Sequence, residues 1–420
     1  MKRQVTAAVL GCGSRGALFC ELMLKMDGAY KITALCDISE SQIEKTRKLC
    51  SLYDAEAFTD VERFFEKKRA DVMIIATADR EHVWQSVRAL ELWYDLLLEK
   101  PISDSREELE ALLAAQKKSG RNVVVCHELR YGKGYQKCEE ILNSGKLGRL
   151  YAIDASERVA YWHWAQAYVR GIGASLERGH PAILAKCSHD LDLLQNFAKS
   201  ECDTLSSVGG LDFFKAENAP EGAADRCLDC KHADTCPYSA KRVYIDRWHD
   251  LGEPEFTWPF NKVTLEIPNT EDAIRRGLEH SEYGQCAFRC RVEKVDNQMV
   301  QMTFKNGVRA SLKMFYAAEP GRRITFYCTH GEMVFDERPK TIEVMPFGGE
   351  KEIINIKDLM KGGQTGHGGG DAELIRRLYL ILCGEMDAPT TLAESVESHL
   401  MGIAAEESRA LGGELVKVHK

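Results

Sequence analysis

Val5-Thr6-Ala7-Ala8-Val9-Leu10-Gly11-Cys12-Gly13-Ser14-Arg15-Gly16 is the stretch that decides the fold. Six apolar, β-prone residues run into G-x-G-x-x-G, and Ala17–Met26 continues with helical periodicity. The next β-rich run, Ile32–Cys36, ends on an acid, Asp37, 21 residues after Gly16. A glycine-rich turn alone is a weak signal. Between a strand and a helix, with an acid at that distance, it is the dinucleotide-binding fingerprint. Gly11 makes the tight turn, Gly13 lets the backbone approach a pyrophosphate, and Gly16 allows close packing of helix on strand. Ser14 and Arg15 lie in that turn and are expected at the cofactor, ahead of a helix whose N-terminal N–H groups face the phosphates. Asp37 accepts hydrogen bonds from the adenosine ribose and would repel a 2′-phosphate, so NAD is expected and NADP is the lesser option. Arg15 is the one residue here that could relieve that repulsion.

The pattern repeats outward. Helix Ser41–Cys50, strand Val72–Thr77, helix Glu81–Leu90, strand Leu96–Leu98, helix Ser105–Lys118 and strand Asn122–Cys126 alternate at βαβ spacing, which implies a parallel sheet covered on both faces. At 420 residues the chain exceeds one core, so two domains are expected: 1–126, a Rossmann unit, and 127–420, an α/β unit. In the second, helix Gly134–Ser144, strand Leu150–Glu157, strands within 290–355 and helices 370–384 and 392–411 are expected. A net charge of −8 without basic clusters argues against a nucleic-acid partner. No apolar run is long enough for a membrane span. Met1-Lys2-Arg3 before Val5–Leu10 mimics a signal peptide, but its apolar core is too short, and a cytoplasmic protein is expected. Fifteen cysteines then mean reduced thiols, most of them small buried hydrophobes.

Ala76-Thr77-Ala78-Asp79-Arg80-Glu81-His82, then Glu99-Lys100-Pro101, then the Gly145–Gly148 turn resemble the glucose–fructose oxidoreductase/inositol dehydrogenase (Gfo/Idh/MocA) family over essentially the whole chain. The resemblance implies a second domain with an open, mostly antiparallel sheet that carries the substrate site and mediates homo-oligomers. It also implies a carbohydrate substrate oxidised or reduced at an alcohol. Some members of the family instead use bound NAD to cleave glycosidic bonds without net redox change. By the same resemblance Thr77, Asp79, His82 and Glu99 lie along the cofactor, and Lys100 stands at the nicotinamide as a proton carrier. Lys186-Cys187-Ser188-His189-Asp190-Leu191-Asp192 matches the family's H-x-x-D helix, with His189 as second acid/base and Asp192 on the same helical face. The family often has a carboxylate four residues before the histidine. Here that position is Ala185, so the proton relay is incomplete.

Other residues are candidates for substrate contact. Arg130 and Tyr131 follow the strand at 122–126. His163, Trp164, Tyr168 and Arg170 lie in an aromatic stretch whose rings could stack on sugar faces. Lys186 precedes His189, and His367 lies in the glycine run Gly366–Gly370, ahead of Asp371. Cys227-x-x-Cys230-x-His232-x-x-x-Cys236 has metal-ligand spacing within an insertion around 225–240. Three thiolates and an imidazole suit a structural zinc, with Cys202 as a remote fourth thiol. The leading expectation is an NAD-dependent sugar oxidoreductase with Lys100 and His189 relaying the proton. An NAD-dependent glycoside hydrolase working by transient oxidation is the first alternative, and a non-catalytic NAD or sugar sensor the second.

Overall fold

Six strands, β1 (Val5–Leu10), β2 (Tyr30–Cys36), β3 (Glu56–Phe58), β4 (Val72–Ile75), β5 (Asp95–Leu98) and β6 (Val123–Val125), pair in parallel in the order β3-β2-β1-β4-β5-β6. The computed structural model describes residues 3–360 and 369–420, except the side chains of 172, 317 and 318. β1, β4, β5 and β6 are buried almost throughout, as a sheet covered on both faces requires. Chain order reverses between β1 and β4, which opens a crevice at the carboxyl ends of the strands. The alternation read from the sequence holds here. β3 was not anticipated, because its three residues are largely exposed and carry no periodic signal. The first helix begins at Ser14 instead of Ala17, so Gly16 lies inside it.

The second sheet has nine strands: β7 (Leu150–Ala160), β8 (Cys202–Gly210), β9 (Asn297–Phe304), β10 (Arg309–Ala318), β11 (Gly321–Cys328), β12 (Gly331–Asp336), β13 (Thr341–Pro346), β14 (Glu352–Asn355) and β15 (Val416–Lys417). Their order is β14-β13-β12-β11-β7-β10-β9-β8-β15, and only β7 and β10 run parallel. Burial alternates along β9 and β11, the mark of a sheet with one covered face. Helices Ser188–Ala198 and Leu392–Ala410 pack on that face. Among the described residues no helix is long and apolar enough to cross a membrane.

Two features depart from a simple two-block layout. Helix Gly370–Leu382, late in the chain, packs Leu374, Ile375, Leu378 and Tyr379 into the core of the first sheet. The Tyr30 hydroxyl donates to the Ile375 carbonyl at 3.0 Å, and the Tyr379 hydroxyl to the Arg3 carbonyl at 2.8 Å. The cysteine-rich insertion is larger than 225–240: Cys227, Tyr244, Trp248, Phe260, Ile274 and Leu278 belong to a third core of its own.

The returning helix is therefore part of the nucleotide fold. Leu378 is fully buried in that core, and Leu378→Ala should cost about 2–5 kcal/mol, read as a lowered denaturant midpoint at unchanged slope.

Candidate active site

The loops after β1, β4, β5 and β6 meet at one edge of the parallel sheet. Gly11 has φ +95°, and a Cβ there would stand 2.4 Å from the Ala76 carbonyl oxygen after β4. A Cβ on Gly16 would lie 1.9 Å from the Gly11 carbonyl oxygen, so the turn is pressed against the end of β4 at Gly11 and against its own helix at Gly16. Gly13 differs, since nothing lies within 4 Å of its Cβ position. It precedes helix Ser14–Leu24, whose first turn has neither a capping side chain nor an acid. The open space and uncapped N–H groups fit a pyrophosphate. Asp37 is fixed across the same loop: its Oδ2 accepts from the Cys12 N–H at 2.8 Å and its Oδ1 from the Ser39 N–H at 2.9 Å. Ile38, passed over in the sequence, is 84% exposed beside it and offers an apolar surface next to the ribose position.

Arg15 does not reach toward Asp37. Its Nε bonds Glu99 after β5, one terminal nitrogen bonds Glu128 after β6, and the other bonds Asp371 on the returning helix at 2.9 Å. Burial alone would raise the Glu99 carboxyl; Arg15 and Lys100 beside it hold it below the usual carboxylate range. Glu99, Cys126 and Glu128 are the only trio of potential metal ligands among the described residues whose atoms lie within 4.8 Å of one another, and the Arg15 cation already compensates it.

Lys100 follows at the cleft surface, and its Nζ donates to the Ala185 carbonyl at 3.2 Å, the position where a carboxylate was expected. Two histidines hold the turn beyond it. His82 donates through Nδ1 to the Pro101 carbonyl at 2.8 Å, and His399 Nε2 accepts from the Ile102 N–H at 2.8 Å while its Nδ1 donates to Ser395 at 2.7 Å. Burial pushes His399 down to about 3, so it stays the neutral acceptor that the turn requires. His189 lies in the first turn of helix Ser188–Ala198, with Nε2 3.6 Å from a Glu128 oxygen.

A cleft of about 1090 Å³ runs along Ser14, Thr77, Asp79, Glu99, Lys100 and Glu128. His163 and Trp258 line both this cleft and an adjoining pocket of about 510 Å³ that contains Lys186. Burial holds the His163 imidazole well below its usual range, with Lys186 and Lys100 adding to the effect, so it is a neutral, aromatic wall. Trp258, whose ring centroid is 4.8 Å from that of His163, had no motif to reveal it. Glu128 and Asp371 had only weak ones, an acid two residues before Arg130 and an acid after a glycine run.

Several expected contacts sit elsewhere. Arg130 and Asp192 form a buried bidentate pair, 2.6 and 2.7 Å, and neither lines the cleft. Tyr131 is buried in the first core, and Trp164 stacks on Tyr168 at 4.5 Å inside the second. His82 is buried behind the Lys100 turn, supporting it instead of facing a cofactor. Arg170 touches the cleft wall, but its guanidinium donates to the Ala165, Tyr238 and Gln285 carbonyls. Lys186 is paired with Glu157 at 3.2 Å. His232 bonds the Glu221 carbonyl at 2.9 Å, and its ring does not join Cys227, Cys230 and Cys236 in any close ligand set. Cys202 is in β8, bonded to the carboxylate of Glu397 through its N–H. His367 lies outside the described residues.

Residues 5–127 match a family model described as an oxidoreductase family with an NAD-binding Rossmann fold, GFO_IDH_MocA. YteT of Bacillus subtilis, a protein named as an oxidoreductase, is 24% identical over 86% of this chain and 84% of its own. A 2,7-anhydro-N-acetylneuraminate hydratase of Mediterraneibacter gnavus is 22% identical over 65% of this chain and 67% of its own. A solved levoglucosan dehydrogenase, in complex with NADH and levoglucosan, superimposes with a TM-score of 0.71 over the full length of both chains at 14% identity.

The Arg15 contacts bind the site together. Arg15→Ala removes the cation shared by three buried carboxylates and should cost about 3–5 kcal/mol of stability, measured by urea unfolding; a loss under 1 kcal/mol would show that the cluster holds nothing in place.

Proposed function

We infer that this chain is a Gfo/Idh/MocA oxidoreductase, the family whose NAD-binding model residues 5–127 match. The protein is read as an NAD-dependent oxidoreductase acting on a secondary alcohol of a sugar or glycoside. The observation that carries this reading is the meeting in one cleft of Ser14, which follows the open Gly13 position, the Lys100 ammonium and Glu128, with His189 buried 3.6 Å behind Glu128. A nicotinamide held there supplies hydride acceptance from the carbinol carbon, or the return of that hydride. Lys100 exchanges the proton of the reacting hydroxyl, oriented by the Ala185 carbonyl and by the Glu99-supported turn. His189 is the second station, passing the proton by way of Glu128. The aromatic wall of Trp162, His163 and Trp258 beside the second pocket suits the apolar face of a sugar ring. The likeness to levoglucosan dehydrogenase supports the same substrate class.

Asp37 sets the choice of dinucleotide. Arg15 is bound to three carboxylates and is not available to a 2′-phosphate. A homo-oligomer through the outer face of the nine-stranded sheet is supported by the half-exposed Tyr151, Val208 and Met299, the last two directly opposed across β8 and β9.

A second reading keeps the hydride on the enzyme: transient oxidation acidifies the neighbouring C–H, and a group is eliminated or water added without net redox change. Ala185 in place of a carboxylate favours it, as does the similarity to a hydratase.

Lys100→Ala and His189→Ala should each lower the rate by about 10²–10⁴ while NAD affinity stays within a few-fold. NAD should bind at least ~10-fold more tightly than NADP, about 1.4 kcal/mol, and Asp37→Ala should erase that difference in calorimetry. The two reactions separate with a panel of sugars and aryl glycosides. NADH formed in step with a keto product supports the dehydrogenase; aglycone release or hydration at catalytic NAD, with solvent exchange of deuterium beside the oxidised carbon, supports the second reading and discards the first.

A further inference from the structure

The insertion encloses a small cavity walled by four thiols from two separate stretches of chain: Cys227, Cys230 and Cys236 from one, Cys286 from the other. The stretches are tied side by side by the Arg226–Gln285 bridge and by the Cys286 N–H donating to the Asp225 carbonyl at 2.8 Å. Cys227 opens a single helical turn that ends at Cys230, whose N–H bonds back to the Cys227 carbonyl at 3.3 Å. The His232 N–H points to the Cys230 sulfur at 3.5 Å, the kind of N–H···S contact that stabilises a thiolate.

Arg170 supplies an independent observation. It is 1% exposed, and no carboxylate among the described residues pairs with it. Its partners are three backbone carbonyls and the Cys227 sulfur, 3.6 Å away. A guanidinium buried without an anion is costly by several kcal/mol.

We propose that Cys227, Cys230, Cys236 and Cys286 are the four thiolate ligands of one metal centre, and that Arg170 is the buried cation that compensates its negative charge. Each thiol loses its proton on binding, and four thiolates leave the centre net negative with either of the two soft partners such a set takes, a zinc ion or an iron–sulfur cluster. No three of these sulfurs lie within 4.8 Å of one another, wider than the roughly 3.8 Å that Zn–S bonds of about 2.3 Å impose, so zinc requires the side chains to close in whereas a cluster accepts them spread. His232 also walls the cavity, but its Nε2 is engaged by the Glu221 carbonyl at 2.9 Å, so it is not a ligand; neither is Cys290, whose sulfur donates to the Cys286 carbonyl at 3.3 Å and does not wall the cavity. The centre stands behind the cleft. Arg170 joins it to the turn Ala165–Val169, whose Gln166 and Ala167 face the cofactor cleft, so metal binding braces one wall of the site.

The test uses the full chain, grown with zinc and iron and purified without chelator. Elemental and sulfide analysis should find one centre per chain, and X-ray absorption should find sulfur-only protein ligation; zinc alone identifies the ion, iron with labile sulfide the cluster. Cys286→Ser should reduce retained metal at least ~10-fold, with His232→Ala and Cys290→Ser within about two-fold of wild type, and Arg170→Gln should hasten metal loss to chelator by about 10–100-fold. Metal-free wild-type protein, a nitrogen ligand in the absorption spectrum, or metal lost from His232→Ala overturns the assignment. The wild-type measurements decide it even where a cysteine variant does not fold.

Discussion

A single guanidinium, that of Arg15, sets the geometry around it. It sits at the second helical position after the phosphate turn and touches a carboxylate after β5, another after β6, and a third on a helix from the far end of the chain. Three acids converging this closely would repel one another; the cation makes their meeting favourable. The phosphate loop, the Lys100 turn and the His189 partner Glu128 are thereby fixed relative to one another by one side chain. The placement also turns Arg15 away from Asp37, whose carboxylate is held instead by the Cys12 and Ser39 N–H groups.

Much of this was legible in the sequence where the determinants are local. The phosphate turn, its helix, the β-helix alternation and the acid ending β2 follow from periodicity and from glycines whose Cβ positions are sterically closed or deliberately open. The H-x-x-D helix was legible as a helix, yet neither side chain lines the cleft: His189 faces Glu128, which does, and Asp192 turns to Arg130, a partner 62 residues away. Arg170 could be mistaken for a sugar ligand because nothing local announces a buried carbonyl cage. Glu128 and Asp371 escaped notice for the same reason, since their meaning arises only from the distant Arg15. The metal-ligand spacing of Cys227, Cys230 and Cys236 was visible, but the thiol completing the cavity stands fifty residues downstream of Cys236, beyond the reach of any spacing rule.

The insertion is more than a decoration on the second domain. Its third core carries Phe260, and the adjoining Phe256, Trp258 and Lys262 project into the cofactor cleft. Phe256 lies 5.7 Å beneath the Lys45 ammonium of the Rossmann helix. The cleft wall thus draws on a segment that neither sheet contains, and exchanging this segment would alter the aromatic wall while leaving the Gly11–Gly16 turn untouched.

The helix Gly370–Leu382 has a consequence for how the chain is made. A ribosome releases the six-stranded sheet first, with the surface of Phe19, Tyr30 and Tyr131 uncovered. The strip of apolar surface that closes over it emerges only after some 250 further residues have been synthesised. Until then the nascent domain presents an apolar flank, and Arg15 lacks the third of its carboxylates, Asp371. The first sheet's core is therefore closed only once this helix has emerged and docked.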